Sequence, residues 1–161
     1  MFDLKQQQRL TSIVLPGPAG RVFPKADSQS VFVANDRDGS MSRISTWTLR
    51  ESARLPVGSD IVGINFGFFQ TVAFALSRGE SKVVAYDLDR ATPTLLRSIE
   101  LPGRPESGTI SPDGLKFYVA LSDKNEVAVI DVRSGRVAKL IPDVEPEIGS
   151  VISANQDNYC H

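Results

Sequence analysis

The fold turns on residues 111–135, Ser-Pro-Asp-Gly-Leu-Lys-Phe-Tyr-Val-Ala-Leu-Ser-Asp-Lys-Asn-Glu-Val-Ala-Val-Ile-Asp-Val-Arg-Ser-Gly. Strand signals run into, through and out of this stretch, here called a to d. Strand a is Gly108-Thr109-Ile110-Ser111. Pro112-Asp113-Gly114 then makes a turn, with Asp suited to bond its own backbone and Gly supplying a positive φ. Strand b runs from Lys116 to Leu121 around Phe117-Tyr118-Val119-Ala120. The polar loop Ser122-Asp123-Lys124-Asn125 leads to strand c, Glu126 to Val132. Arg133-Ser134-Gly135 is a hairpin turn into strand d, Arg136 to Ile141. β-Branched and aromatic residues bounded by Gly, Pro, Asn and Asp read as strands rather than helices.

The same order recurs upstream. In the second unit, strand a is Ile61 to Phe66, b is Thr71 to Leu76, c is Lys82 to Leu88 and d is Leu95 to Leu101. The first unit is looser, with Val31 to Asn35 as b, Ile44 to Leu49 as c and a short d ending at Leu55. Trp47-Thr48, Tyr86-Asp87 and Ile130-Asp131 then share one register, which predicts that Trp47 and Tyr86 pack between neighbouring sheets. Leu15-Pro16, Leu55-Pro56, Leu101-Pro102 and Ile141-Pro142 punctuate the units, with the prolines 40, 46 and 40 residues apart. A regular period in this range signals a repeat architecture. No stretch sustains apolar residues at three- and four-residue spacing, so long helices are not expected. The expected fold is an all-β propeller of four-stranded antiparallel blades, at about 19–56, 60–102 and 107–142.

Ser111-Pro112-Asp113-Gly114 through Tyr118-Val119-Ala120, Val129-Ile130-Asp131 and Gly135 resembles the YVTN-type β-propeller repeat, within the wider set of WD40-like and seven-bladed lactonase-like propellers. The match is closest in the third unit and fair in the second. The first unit departs from it, since Asp27-Ser28 stands where Pro-Asp-Gly is expected. The resemblance covers nearly the whole chain. It implies a fold and leaves function open, because propellers host unrelated activities, among them lactone hydrolysis, haem d1 binding and partner binding.

The ends do not read as whole blades. Leu10 to Leu15 resembles the outer strand Leu95 to Leu101, so 10–15 is expected to be a strand d. Val151 to Asp157 resembles strand a and its turn, and Asn158-Tyr159-Cys160-His161 begins a strand b, placing strands a and b at 149–161. Propellers typically have about four to eight blades. Three alone leave two apolar faces and unpaired edges exposed. A fragment of a larger propeller is the favoured reading. The others are association with another copy or a partner protein through those faces, and an irregular fourth blade built from the end strands.

Composition narrows the partners. Hydrophobic residues make up 41% of the 161, enough for a packed core. Eighteen basic and nineteen acidic side chains give a net charge of −1 with no basic stripe, which argues against nucleic acid. No apolar run is long enough to span a bilayer. The residues after Met1 have no h-region and no cleavage site of a secretory signal. With Met1 as the start the default is cytoplasmic; a cropped precursor would be periplasmic or extracellular. The compartment stays open.

Antiparallel connectivity puts the b-to-c and d-to-a connections on one face, and propellers commonly bind through such loops. The candidate binding residues there are Asp36, Arg37 and Asp38, then Arg78 and Glu80, Arg104 and Glu106, and Asp123 and Lys124. The ordinary reading of mixed charge is a solvated loop; the functional one is a polar rim that binds a protein or a small ligand. Asp87 and Asp131 recur at one repeat position, which suits bonding turn amides better than catalysis. Gly17, Gly58 and Gly103 follow the proline steps as turn residues. Cys160-His161 lacks the second cysteine of a haem attachment sequence, and strand neighbours point to opposite faces, so they are no nucleophile–base pair. Asp36-Arg37-Asp38-Gly39 lacks the further ligands of a calcium loop. No metal and no cofactor is expected. The leading reading is a non-enzymatic binding or scaffolding module. The alternatives are a lactonase-like hydrolase and a haem- or redox-linked propeller domain.

Overall fold

The computed structural model describes residues 2–3, 5–15, 17–67 and 69–142, so the end strands expected at 149–161, with Cys160 and His161, lie outside the described residues. Among the described residues there are fourteen strands and no helix. Phe2–Asp3 (β1) and Gln8–Arg9 (β2) form a small hairpin. Three four-stranded antiparallel sheets follow. The first contains β3 (Ala19–Pro24), β4 (Ser30–Asn35), β5 (Ser40–Ser45) and β6 (Arg50–Pro56). The second contains β7 (Ile61–Gly67), β8 (Val72–Ser77), β9 (Lys82–Asp87) and β10 (Thr94–Glu100). The third contains β11 (Pro105–Ile110), β12 (Lys116–Leu121), β13 (Glu126–Asp131) and β14 (Arg136–Ile141).

The local chemistry explains the hairpins. Four-residue b-to-c turns end on a left-handed residue, Gly39, Ser81 or Asn125. The turns after strand a are anchored by Asp: Asp113 Oδ1 accepts from Leu115 N at 3.0 Å, and Asp27 Oδ1 accepts from Gln29 N at 3.0 Å. Ser28 (φ 59) takes the backbone conformation of Gly114 (φ 71), so the first unit keeps the turn after losing its glycine. Asp131 and Asp87 each accept a turn amide, from Ser134 and Asp89.

The sheets pack face to face. Alternate residues of the central strands supply both interfaces, as the two-residue period of a strand requires. Ala73, Ala75, Val84 and Tyr86 meet Phe32, Ala34, Met41 and Leu55 of the first sheet. Phe74, Leu76, Val83 and Ala85 meet Phe117, Val119, Leu121 and Ile130 of the third. Phe74 and Phe117 stack tilted at 5.4 Å, and Phe32 and Phe66 at 5.2 Å. Phe32 and Phe117 are fully buried, each contributing about 1.5–3 kcal/mol by leaving water. The a strands β3, β7 and β11 lie side by side. Arg21 crosses from β3 to donate to the Val62 carbonyl at 2.9 Å. Prolines fall where no ladder donor is missed: Pro24, Pro56 and Pro105 sit on edge strands.

Three expectations need correction. Strand c of the first unit is Ser40–Ser45, not 44–49, so Ile44 and not Trp47 occupies the register of Tyr86 and Ile130. Trp47 lies in the following turn and is 86% exposed. Leu10 to Leu15 forms no strand; a d strand needs a free c strand, and among the described residues β5, β9 and β13 are each already paired on both sides. The outer sheet faces are not bare. On the first sheet Asn35 donates to Ser40 and Ser42 at 3.0 and 2.8 Å, Ser42 donates to Glu51, and all three of Asn35, Ser40 and Ser42 are buried. Val33, paired with Ser42, and Ile44 share that face and are buried with them, so the face combines polar and apolar groups. On the third sheet, Ala120 and Val127 are buried with Tyr118 packed against them.

Candidate functional site

The b-to-c turns and d-to-a connections form one face, and hydrogen bonds lock them together. Val57 N and Gly58 N both donate to the Gly39 carbonyl, at 2.9 and 2.8 Å. Arg78 N and Gly79 N donate to Asp60 O and Ser59 O, and Ser122 N donates to Arg104 O. The turn of each following sheet therefore rests on the connection leading into it. Gly58 is required at this junction: its φ is +131, and a Cβ would sit 2.7 Å from Ser77 Oγ and 2.8 Å from the Glu80 carboxyl.

The charged residues proposed from sequence fall into three groups. Arg78 is the hub. Its Nε and Nη2 donate to the two Asp60 oxygens at 2.7 and 3.3 Å, and Nη1 donates to Glu106 Oε2 at 2.5 Å. One guanidinium thus joins the connection into the second sheet to strand a of the third. The bonds to Asp60 and then Glu106 raise its pKa, although partial burial opposes them. Glu80 accepts from Ser59 N at 3.2 Å and pairs with Lys82 at 2.5 Å. Lys82, then the Ser59 amide, hold the Glu80 carboxyl below its ordinary range.

The second group braces single junctions. Asp123 Oδ1 accepts from Arg104 N at 2.7 Å. Asp38 Oδ1 accepts from Ser40 N and Oγ at 3.1 and 2.6 Å, and Asp38 also lies 3.7 Å from Arg54. Arg54 forms a two-pronged pair with Glu51 at 2.9 and 2.7 Å. In the third group, Arg37 and Lys124 are exposed with no ion pair among the described residues, their stems lying over Gly17 and Gly103, and Asp36 lies against Gly20. The nine predicted residues therefore share a face, and two contacts bring members of the set together: Arg78 with Glu106 through their side chains, and Asp123 with the Arg104 amide. Sequence reasoning missed Asp60, Ser59 and Glu51. Asp60 follows the turn Gly58-Ser59, and its place two residues after the only glycine of that connection was the available signal.

Among the described residues no cluster of His, Cys, Asp and Glu could hold a metal ion, and no helix is long and apolar enough to cross a membrane.

Comparison with solved structures decides the fold. A chain titled Kuenenia stuttgartiensis hydrazine synthase superposes with TM-score 0.75 over 89% of this chain and 41% of that one, at 20% identity. The β-propeller domain of Cps50 (Swd1) from Myceliophteria thermophila superposes with TM-score 0.71 over 82% of this chain and 45% of that one, at 10% identity. The fold is a β-propeller. The three sheets are its blades, β3, β7 and β11 its inner strands, and the braced loops one of its rims. The chain spans less than half the length of either matched propeller chain. No protein-family model and no curated protein matches the sequence.

Proposed function

We propose that this propeller is a non-enzymatic binding or scaffolding module, and that the rim of b-to-c turns and d-to-a connections carries the interaction. One observation supports it above the rest: the rim is cross-braced between blades. Arg78 ties Asp60 to Glu106, Glu80 holds the Ser59 amide, and Asp123 holds the Arg104 amide. A surface fixed before encounter loses little freedom on binding, and so keeps more of its contact energy. Arg37 and Lys124 project from that rigid base with their charges available. The recurrent Asp-anchored turns at Asp27 and Asp113 support reading the repeat as YVTN-type.

Photocrosslinking tests the rim. A benzophenone side chain placed at Arg37 or Lys124 should trap a partner in cells, while one at Arg50, on the first blade's outer strand, should not. The Arg78→Met change should reduce the rim crosslinks. Equal crosslinking from all three positions would contradict the rim assignment. Hydrolysis of a lactone panel that disappears with Arg78→Met would replace it with the hydrolase reading.

A further inference from the structure

On the opposite face, a cleft of ≈ 200 Å³ opens between the second and third blades. Val72, Phe74 and Ala85 form its apolar interior, Leu96 and Val132 its walls, and Arg97 and Arg133 its mouth. Two features set it apart from the equivalent places in the repeat. Leu96 is the extra residue of a β-bulge, between the pairs Leu95↔Tyr86 and Arg97↔Ala85. Bulges re-aim side chains and recur beside functional sites. The same bulge holds Ser52 in the first blade and Ala138 in the third, so a large apolar wall belongs to the second blade alone. Leu95 and Leu96 are 59% and 47% exposed, more than Leu140 and Ile141 of the third blade's outer strand at 36% and 37%.

The arginines supply the second feature. Arg97 Nη1 donates to the Arg133 carbonyl at 3.3 Å. Its guanidinium lies over Gly135 (φ +65), where a Cβ would come within 2.2 Å of Nη1. The turn glycine thus leaves the room in which Arg97 is seated. Neither guanidinium meets a carboxylate among the described residues. Asp131 holds Lys116 and the Ser134 amide, and Asp87 holds the Asp89 amide.

Two guanidiniums without anions beside an apolar hollow select a carboxylate flanking an apolar group. The volume lies below the roughly 300–1,000 Å³ of sites for drug-sized ligands and suits one large side chain. We propose that the cleft docks a partner peptide, seating one Leu- or Phe-sized side chain inside and pairing adjacent Asp or Glu residues with Arg97 and Arg133. This site lies on the face opposite the braced rim, and neither assignment depends on the other.

The test is a nitrogen-15 NMR titration with the acetylated, amidated tetrapeptide Asp-Glu-Phe-Asp. Two controls replace Phe by Ala, or the three acids by Lys. Saturable shifts are expected at the amides of Phe74, Leu96, Arg97 and Val132, with at least tenfold weaker binding of both controls. The double variant R97E/R133E should lose the acidic peptide at least tenfold and gain the lysine peptide. R50E, on the first blade's outer strand and away from the cleft, should change nothing, and the unshifted spectrum of each variant reports intact folding. Equal response to all three peptides, or none at several millimolar, would overturn the proposal. So would saturable binding of decanoate without binding of any peptide, which would assign the cleft to a free carboxylate amphiphile.

Discussion

Replacing Arg78 by Met removes the guanidinium and keeps much of the apolar stem, so it isolates the bracing of the rim. The Arg78 side chain is 35% exposed, with Asp60 at 49% and Glu106 at 22%. At such exposure solvent screens most of the Coulomb energy, and a single pair is worth about 0.2–1 kcal/mol. Two pairs share one arginine, so the entropy of ordering its long side chain is lost once for both. Glu106, the more buried partner, is also left without its donor. Together these give a loss of about 1–2 kcal/mol. Urea unfolding of the chain should show it as a lower midpoint with an unchanged slope. Salt should narrow the gap between the wild type and the variant, because only the wild type has this network to screen. A double-mutant cycle with Glu106→Gln should give a coupling of about 0.5–1 kcal/mol. Coupling indistinguishable from zero would refute the claim that Arg78 clamps neighbouring blades.

Tyr86→Phe should cost about 1 kcal/mol, since the buried hydroxyl donates to the Pro56 carbonyl across the first interface. Thermal unfolding monitored by circular dichroism reads the loss. Phe117→Ala, at a fully buried site against Phe74, should cost about 3–5 kcal/mol in the same assay. Leu49 (φ 55) occupies the hairpin position filled by Gly135 (φ 65) in the third blade, and each amide donates to the end of the preceding strand. Leu49→Gly should therefore stabilise by about 1 kcal/mol, the relief of left-handed strain exceeding the loss of a half-buried side chain. Asp131 is held far below the ordinary carboxylate range, first by Lys116 and then by the Ser134 amide, and Glu51 is lowered by Arg54. Folded-state values below the unfolded value of about 4 place the stabilisation above that pH. The urea midpoint should fall as pH drops from about 5 towards 3. Asp131→Asn should flatten part of that fall.

The second and third blades were legible because their central strands bury both faces, so Val72–Ser77 and Glu126–Asp131 stand out as apolar runs between turn residues. The first blade hid strand c. Ser40, Ser42 and Arg43 look like loop, yet the serines are buried and satisfied by Asn35 and Glu51. The aromatic Trp47 then drew the strand four residues too far along. The first blade's strand a, with Gly20 and Pro24 at an inner edge, offered no alternation to read. At the candidate rim, connectivity alone put the charges on one face. The choice of Arg78 as hub needed the third blade's Glu106 brought beside Asp60, a contact spanning 28 residues from Arg78 that no local spacing encodes. The Arg97–Arg133 cleft was hidden for a related reason. It depends on a bulge, and a bulge is a property of the pairing between two strands.

Ring-proton contacts between Phe74 and Phe117 test the stacked-blade architecture most directly. Their centroids lie 5.4 Å apart across the interface of the second and third sheets. Nuclear Overhauser effects between the two rings, together with cross-strand contacts between Phe117 and Ile130, are the expected result. Rings without mutual contacts, or sequential amide contacts of a helix through residues 116–131, would contradict it.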